Sequence, residues 1–241
     1  MNWELLSIHF RQTLGGGYRY LDKCGELLIE AEREFDFTPR ELKPSGAAIE
    51  IPELAIKADI DTDNIALSQE LPEDDSRFRE ISIGLVEMAW KHFSPTSALR
   101  NGVASKWVQR VGTEDLAGRK SLSHTPPVIG EIADIIGMSP YSCNGGFVLK
   151  AGSRRLSITV GPGSLESTRR LAAPPMGATG ALKRKLERKN KQSQRRDPLT
   201  GFAYTLEIDL WEEDPPITHS KQMTALFAQL KEYEQVLKKL L

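Results

Sequence analysis

The sequence predicts an α+β protein, because strand-like and helix-like segments follow one another along most of the chain. Residues 3–10 alternate apolar and polar side chains, the period-two pattern of a strand with one buried face. Residues 18–35 and 220–241 repeat apolar side chains three and four positions apart, as amphipathic helices do. A sheet and helices of this kind bury their apolar faces against each other, which defines the predicted fold class.

The composition is that of a folded chain without a disulfide framework. Of the 241 residues, 39% are hydrophobic and 27% are charged, an ordinary balance for a globular protein. Cys24 and Cys143 form no CxxC pair, so neither a disulfide nor a cysteine-rich zinc site is expected. No apolar run approaches the roughly 18 residues of a membrane span, and the first residues lack the pattern of a signal peptide. We therefore expect a cytoplasmic protein.

Six elements in the first 112 residues follow one another in the order β-α-β-β-α-β. They are a strand at 3–10, a helix at 18–35, a strand at 47–60 bent at Pro52, a strand at 64–69, a helix at 76–93 and a strand at 98–111. This is the split βαβ order of ferredoxin-like domains. We also expect a loop between Pro39 and Pro44, an N-cap at Ser76 and a β-bulge at Gly102.

The spacing of apolar residues predicts which faces of the two helices are buried. In the first helix these residues are Leu21, Cys24, Leu28, Ala31 and Phe35. In the second they are Phe78, Ile81, Leu85, Met88 and either Ala89 or Phe93. Gly84 lies within the second helix, where the absence of a side chain would allow close packing against the sheet.

Residues 113–241 predict a looser α+β half that shares one core with the first. The expected elements are a short apolar helix within 126–138, a hairpin at 146–160, a basic segment at 181–196, a strand at 202–211 and a helix at 220–241. The hairpin turns at residues 151–154. Residues 161–180 are rich in Gly and Pro and are expected to form a loop.

The formal net charge of −1 hides a strong asymmetry along the chain. Residues 1–94 hold ten Lys and Arg against nineteen Asp and Glu, residues 95–196 hold eighteen against six, and residues 197–241 hold four against eight. The three net charges are therefore −9, +12 and −4. A middle segment this basic indicates a polyanionic partner. The alternative is that acidic and basic parts neutralise each other within the fold.

The basic segment, residues 181–196, holds eight of the eighteen Lys and Arg residues between positions 95 and 196. Its basic residues are Lys183, Arg184, Lys185, Arg188, Lys189, Lys191, Arg195 and Arg196. Such a cluster neutralises phosphates and binds nucleic acid with little sequence preference. The segment has no aromatic residue, so base stacking would have to come from elsewhere. The alternative is a solvated insertion between two strands.

Residues 59–70 resemble the calcium loop of an EF-hand in their pattern of carboxylates. The candidate metal ligands are Asp59, Asp61, Asp63 and Glu70. Two departures count against such a loop: Ala66 replaces the larger apolar residue expected there, and Pro72 interrupts the helix that should follow. An acidic β-hairpin turn at residues 61–64 explains the same composition and is the favoured interpretation.

A second candidate metal site is the pair Glu207 and Asp209, which strand alternation places on one face of the predicted strand 202–211. Beyond these carboxylates the sequence holds no familiar catalytic motif, since neither an HExxH nor a GxSxG pattern occurs. The triple glycine at residues 15–17 lacks the spacing of a phosphate-binding loop. The predicted strand 64–69 also lacks the aromatic residues with which RNA-recognition modules stack bases.

We therefore predict a non-enzymatic binding or scaffold protein that needs no cofactor. Its expected partner is nucleic acid or another polyanion, bound through the basic segment. The alternative is a divalent-metal-dependent enzyme or a calcium-binding protein that uses the carboxylates described above.

The C-terminal helix combines a narrow apolar seam with flanking residues that widen it. The seam consists of Met223, Leu226, Leu230, Tyr233, Leu237 and Leu240, and the flanking residues are Phe227, Val236 and Leu241. The width of this stripe favours docking on the chain's own sheet, with Leu230 and Leu237 in the core. A homodimer through the far edge of the helix is the alternative to a monomer.

Overall fold

A computed structural model describes residues 3–16, 19–72, 74–123, 131, 134–135, 142, 144–164, 201–215 and 219–241. The strands are β1 (Glu4–Gly15), β2 (Thr38–Lys43), β3 (Gly46–Ile51), β4 (Ile56–Asp61), β5 (Asn64–Glu70), β6 (Ser97–Val111), β7 (Gly145–Ala151), β8 (Arg154–Ser164) and β9 (Phe202–Glu213). The helices are α1 (Tyr20–Phe35), α2 (Ser76–Phe93), α3 (Glu114–Leu122) and α4 (His219–Leu240). None of the described helices is long and apolar enough to cross a membrane.

The described strands form one sheet of nine, in the order β2-β3-β4-β5-β1-β6-β9-β8-β7. Every neighbouring pair is antiparallel. The predicted α+β class is therefore confirmed, as one large antiparallel sheet with helices packed against it. Strands from both halves of the chain contribute to this sheet, since β6 pairs with β9 along its length.

The main core lies between the sheet and the helices. Alternate residues of the strands, such as Ile8 and Phe10 of β1 and Ile208 of β9, are buried in one cluster with residues of α1, α2 and α4. The aromatic ring of Phe227 on α4 packs against those of Phe10 and Phe78, with ring centroids 6.2 Å and 6.3 Å away. The core therefore continues from the N-terminal strands to the C-terminal helix.

Two expectations for residues 38–60 were wrong. The segment between Pro39 and Pro44 is not a loop, because residues 38–43 form the edge strand β2. Residues 47–60 are not one bent strand, because β3 and β4 pair antiparallel with Ile51 opposite Ile56. A short 3₁₀ turn at Pro52–Leu54, followed by Ala55 in the left-handed region at φ 54°, reverses the chain between them.

Strand β1 continues to Gly15, well beyond the residue 10 at which the apolar alternation stops. Gln12 occupies the next core-facing position and is 1% exposed. Its amide nitrogen donates to Asn101 Oδ1 at 2.7 Å, and its carbonyl oxygen accepts from Trp90 Nε1 at 2.8 Å. A polar side chain can remain in the core here because its hydrogen bonds are satisfied.

The buried face of α1 is rotated slightly from the predicted one. Leu21 is 67% exposed, whereas Tyr20, Leu27 and Ala31 are buried. Cys24, Leu28 and Phe35 of the predicted face lie at its margin, partly buried against the core. The buried stripe begins at Tyr20 because its ring packs against Phe93 of α2, with ring centroids 5.3 Å apart.

Helix α2 buries all the residues predicted for it, including both Ala89 and Phe93. The predicted N-cap is wrong: Ser76 is the first helical residue, and Oδ1 of Asp74 accepts from its backbone N–H at 2.7 Å. Gly84 allows close packing against α1 rather than against the sheet. A Cβ atom at this position would lie 2.4 Å from Cζ of Phe35, so even alanine would displace that ring.

The β-bulge predicted at Gly102 is absent, because Gly102 pairs in regular register with Arg11 and Trp211. The register shifts between β1 and β6 lie instead between Leu5 and Ser7 and between Thr13 and Leu14. A glycine is favoured at position 102 because the side chain of Trp211 lies close to its backbone. A Cβ atom on Gly102 would lie 3.3 Å from Cβ of Trp211.

In the second half, the predicted hairpin and the predicted strand 202–211 are confirmed as β7–β8 and β9. Helix α3 was not predicted; it begins after Thr113, whose side chain accepts from the backbone N–H of Leu116 at 3.2 Å. The short helix expected within residues 126–138 lies almost entirely outside the described residues, as do residues 165–200.

Helix α4 packs against α2, β6 and β9. Met223, Leu226, Phe227 and Leu230 are buried, whereas Tyr233 and Leu237 are half-buried and Leu240 is 71% exposed. The contact of the helix with the sheet thus weakens toward its C-terminal end. Glu234 remains buried there because its Oε1 accepts from Trp107 Nε1 at 3.1 Å.

Truncation of Leu230 should destabilise the protein much more than truncation of Leu240. Leu230 is 2% exposed, so Leu230→Ala should lower the free energy of unfolding by about 2–5 kcal/mol through lost burial and a residual cavity. Leu240→Ala should change it by less than about 0.5 kcal/mol, and Leu237→Ala should fall between them. Urea denaturation of the three variants measures this order, and equal losses would contradict the packing of α4.

Lys238 should make the folded protein more stable as the pH rises from about 8 to about 10. Burial lowers its pKa to about 8, whereas a lysine in an unfolded chain titrates near about 10.4. Between these values the unfolded state binds more protons, so raising the pH favours the folded state. Urea denaturation should show this rise in the wild type and a flatter profile in Lys238→Met. The exposed neighbour supplies the control, and Lys239→Met should keep the wild-type slope.

Candidate functional site

The central strands carry a polar cleft on the sheet face opposite the main core. On β1, Ile8 and Phe10 belong to the core, so Ser7 and His9 point to the other face. On β9, Ile208 and Leu210 belong to the core, so Glu207 and Asp209 point to the opposite face of the sheet. Antiparallel register places Lys106 of β6 between these two strands, opposite both Ser7 and Glu207.

The cleft has a volume of about 610 Å³ and is lined mainly by polar side chains. The ionisable and hydroxyl-bearing residues that face the cleft are Ser7, His9, Glu70, Lys106, Ser157, Thr159, Glu207 and Asp209. They come from five neighbouring strands, β5, β1, β6, β9 and β8. The sheet pairing alone brings them together, since their sequence positions span about 200 residues.

His9 lines the cleft and contacts a serine of its own strand. Its Nε2 is 3.1 Å from Oγ of Ser7, and the tautomer decides which of the two atoms donates. Partial desolvation lowers the pKa of His9, although the carboxylates of Glu70, Glu207 and Asp209 act in the opposite direction. The imidazole is therefore mainly neutral at pH 7 and serves as a hydrogen-bonding group.

Carboxylates outnumber positive groups in the cleft. Lys106 Nζ lies 2.6 Å from Glu207 Oε1, which neutralises one of the three acidic side chains. Asp209 lies 3.8 Å from the guanidinium of Arg100. Its pKa is nevertheless raised, because burial disfavours its charged form. Glu70 completes the acidic set. Lined by three carboxylates and one ammonium, the cleft suits a cationic or hydrogen-bonding ligand and disfavours a polyanion.

Arginine side chains cover the sheet beyond one end of the cleft. The guanidinium of Arg100 lies over the indole ring of Trp211, 4.7 Å from its centroid. Arg155, opposite Trp211 on β8, contacts Glu213 at 3.0 Å. Trp211 is thus stacked by a cation from its own chain and is half-buried, so its ring offers little surface for stacking a base.

The structure describes the predicted carboxylate residues but not the predicted polyanion-binding residues. All eight basic residues at 183–196 lie outside the described residues. Residues 59–70 form the hairpin β4–β5, and Oδ1 of Asp61 accepts from the backbone N–H groups of Asp63 and Asn64 at 2.8 Å and 2.7 Å. The turn at residues 61–64 is therefore the acidic β-hairpin turn that the sequence favoured over a calcium loop.

The described residues contain no group of three or more His, Cys, Asp or Glu side chains arranged to hold a metal ion. Asp59, Asp61, Asp63 and Glu70 are all among those residues, and so are Glu207 and Asp209. The last two share one strand face, as predicted, but Lys106 occupies the space next to Glu207. An ammonium ion in that place opposes a second cation.

Within the described part of the chain, the cleft does not present Ser7 as an activated nucleophile. Ser7 is within reach of a histidine but is 6% exposed, so its hydroxyl has little access to a substrate. Strands β5 and β6 pair with β1 on both sides, which engages the backbone N–H groups of β1 in the sheet. These groups are therefore not free to form an oxyanion hole.

The chain matches no known protein-family model, and it is not detectably similar to any curated protein.

Proposed function

We propose that the protein is a non-enzymatic binding or scaffold protein of the cytoplasm that contacts nucleic acid or another polyanion through the basic segment. The observation that carries this proposal is the point at which the segment is inserted. The basic segment lies between β8 and β9, two strands that pair with each other to their ends. Ser164 at the end of β8 is opposite Phe202 at the start of β9.

This geometry supports a basic segment that is held at both ends by the rigid sheet. The chain leaves the sheet after Ser164 and returns to it at Phe202, so both ends of the insertion are attached to the same place. The two anchoring strands are interior members of the nine-stranded sheet, between β6 and β7. Eight of the 32 Lys and Arg residues of the chain are therefore tethered at one end of this strand pair.

The acidic character of the cleft supports a contact through the basic segment, and not through the face of the sheet. A sheet that binds nucleic acid on its face needs positive charge and accessible aromatic rings there. The centre of this sheet instead has Glu70, Glu207 and Asp209 with Lys106 as the single lining cation. A polyanion would be repelled from the cleft, so the proposed contact rests on the basic segment.

We further infer that the N-terminal 112 residues are a ferredoxin-like unit with an added hairpin. The inference is supported by the strand order β4-β5-β1-β6 within the sheet, with α1 following β1 and α2 following β5. The added hairpin is then β2–β3, which continues the sheet beyond β4. Residues 113–241 would add strands to the other side, at β6.

Polyanion binding should depend on salt through the basic segment. The variant Lys183→Gln, Arg184→Gln, Arg188→Gln and Lys189→Gln removes four positive charges from it. If each contacts a phosphate, the slope of log K against log salt concentration should decrease by about three units. Titration of labelled duplex and single-stranded oligonucleotides at several salt concentrations measures this slope.

A matched control removes the same charge from elsewhere on the surface. Arg33, Lys43, Arg77 and Arg119 have side chains 44–74% exposed, each in a local ion pair. Changing these four residues to Gln should leave the slope at its wild-type value. Failure of the wild type to bind either oligonucleotide at low salt would overturn the proposal in favour of charge neutralisation within the fold.

The alternative of a divalent-metal-dependent enzyme or a calcium-binding protein has one favourable observation, the adjacent carboxylates Glu207 and Asp209 in the cleft. We expect calorimetric titration with calcium, magnesium and manganese to show no binding heat that depends on these residues, because Lys106 already neutralises Glu207. The variants Asp209→Ala and Asp59→Ala separate the cleft from the hairpin. Heat abolished by either change would favour the metal-binding alternative.

A further inference from the structure

The two edges of the sheet differ in how they are protected against pairing with another chain. An edge strand presents unpaired backbone groups on its outer side, and proteins usually block them with proline, charge or a bulge. Strand β2 has all three: Pro39, the charged residues Arg40, Glu41 and Lys43, and a register shift between Pro39 and Glu41. Association through β2 is therefore disfavoured.

Strand β7, at the opposite edge, has neither a proline nor a bulge and carries only one charged residue. Its sequence Gly145–Ala151 contains no proline and a single charged residue, Lys150. It pairs with β8 in continuous register without a bulge. Phe147, Val148 and Leu149 are consecutive apolar residues that are 51%, 58% and 53% exposed. Among the described strands, none pairs with the outer side of β7. Three adjacent exposed apolar side chains on an open edge indicate an interaction surface.

We propose that β7 pairs antiparallel with β7 of a second copy of this chain, about a two-fold axis at Val148. Val148 is the middle residue of the seven-residue strand, so only this centre gives every residue of β7 a partner. Phe147 then lies opposite Leu149 of the other copy, and Val148 lies opposite its own equivalent. The axis is perpendicular to the sheet, so that residues on one face of β7 meet residues on the same face of the other copy.

The charges and side-chain sizes of β7 fit this symmetric register. Lys150 falls opposite Gly146 of the second copy, and Gly145 falls opposite Ala151, so that no like charges face each other. The glycine leaves space for the lysine stem. On the face of Phe147 and Leu149, the neighbouring strand β8 contributes Ile158 and Leu156, which extend the apolar row across both copies. This self-complementarity favours a second copy over a foreign strand.

The experiment is sedimentation velocity of the full chain over a range of concentrations. The wild type should show a reversible monomer–dimer equilibrium. The variants Val148→Lys and Val148→Glu should each weaken dimerisation at least tenfold, since each sets two like charges opposite each other at the axis. An equimolar mixture of the two variants should restore the dimer, because the introduced ammonium then faces the introduced carboxylate. Restoration in the mixture is specific to a two-fold axis at this residue.

Two controls locate the interface. Leu42 on β2 is 61% exposed and Val236 on α4 is 50% exposed; neither Leu42→Lys nor Val236→Lys should affect association. Circular dichroism checks the fold of each variant, and amide hydrogen exchange of the wild type should slow in β7 as the concentration rises. A wild type that stays monomeric at its highest soluble concentration would overturn the proposal. Loss of the dimer in Val236→Lys alone would transfer the interface to the C-terminal helix.

Discussion

The pairing of β1 with β5 on one side and β6 on the other is the constraint on which the rest of the structure depends. Its register decides which side chains of β1 face the helices, and a slip of one residue would exchange the core set with the cleft set. The buried hydrogen bonds of Gln12 with Asn101 and Trp90 oppose such a slip, because they join β1 to β6 and α2 at fixed positions. Removing one partner would leave a buried polar group unsatisfied.

Local patterns in the sequence predicted the fold class and most elements, and they failed where a long-range contact outweighs a local preference. The apolar alternation of β1 ends at Phe10 because Gln12 takes the next core position, and its hydrogen-bond partners lie 89 and 78 residues away in the sequence. The division of residues 47–60 into β3 and β4 depends on a turn with no glycine, in which Ala55 takes the left-handed conformation. Helix α3, by contrast, had a readable signal: Thr113 followed by Glu114 and Asp115, then Arg119 and Lys120 in the last turn.

The composition of the cleft was even harder to predict from local sequence patterns. Sequence alternation correctly placed Glu207 and Asp209 on one face, but it could not show that Lys106 and His9 share that face with them. These residues belong to strands whose order in the sheet differs from their order in the chain. Ser7 and His9 could have been identified as cleft residues from the polar alternation of β1, whereas their neighbours on β6 and β9 required the register. The charge balance of the site is therefore a property of the topology.

The basic segment is inserted between two paired strands, so the length of this connection can vary over evolution while the pairing of the strands stays the same. Because Ser164 and Phe202 are held opposite each other by the sheet, both ends of the connection are fixed at one place. For a flexible connection closed in this way, each doubling of length costs only about 0.6 kcal/mol of loop-closure entropy. Lengthening a connection of this kind would therefore cost the sheet little. Related chains would be expected to agree in their strands and to vary in length between β8 and β9.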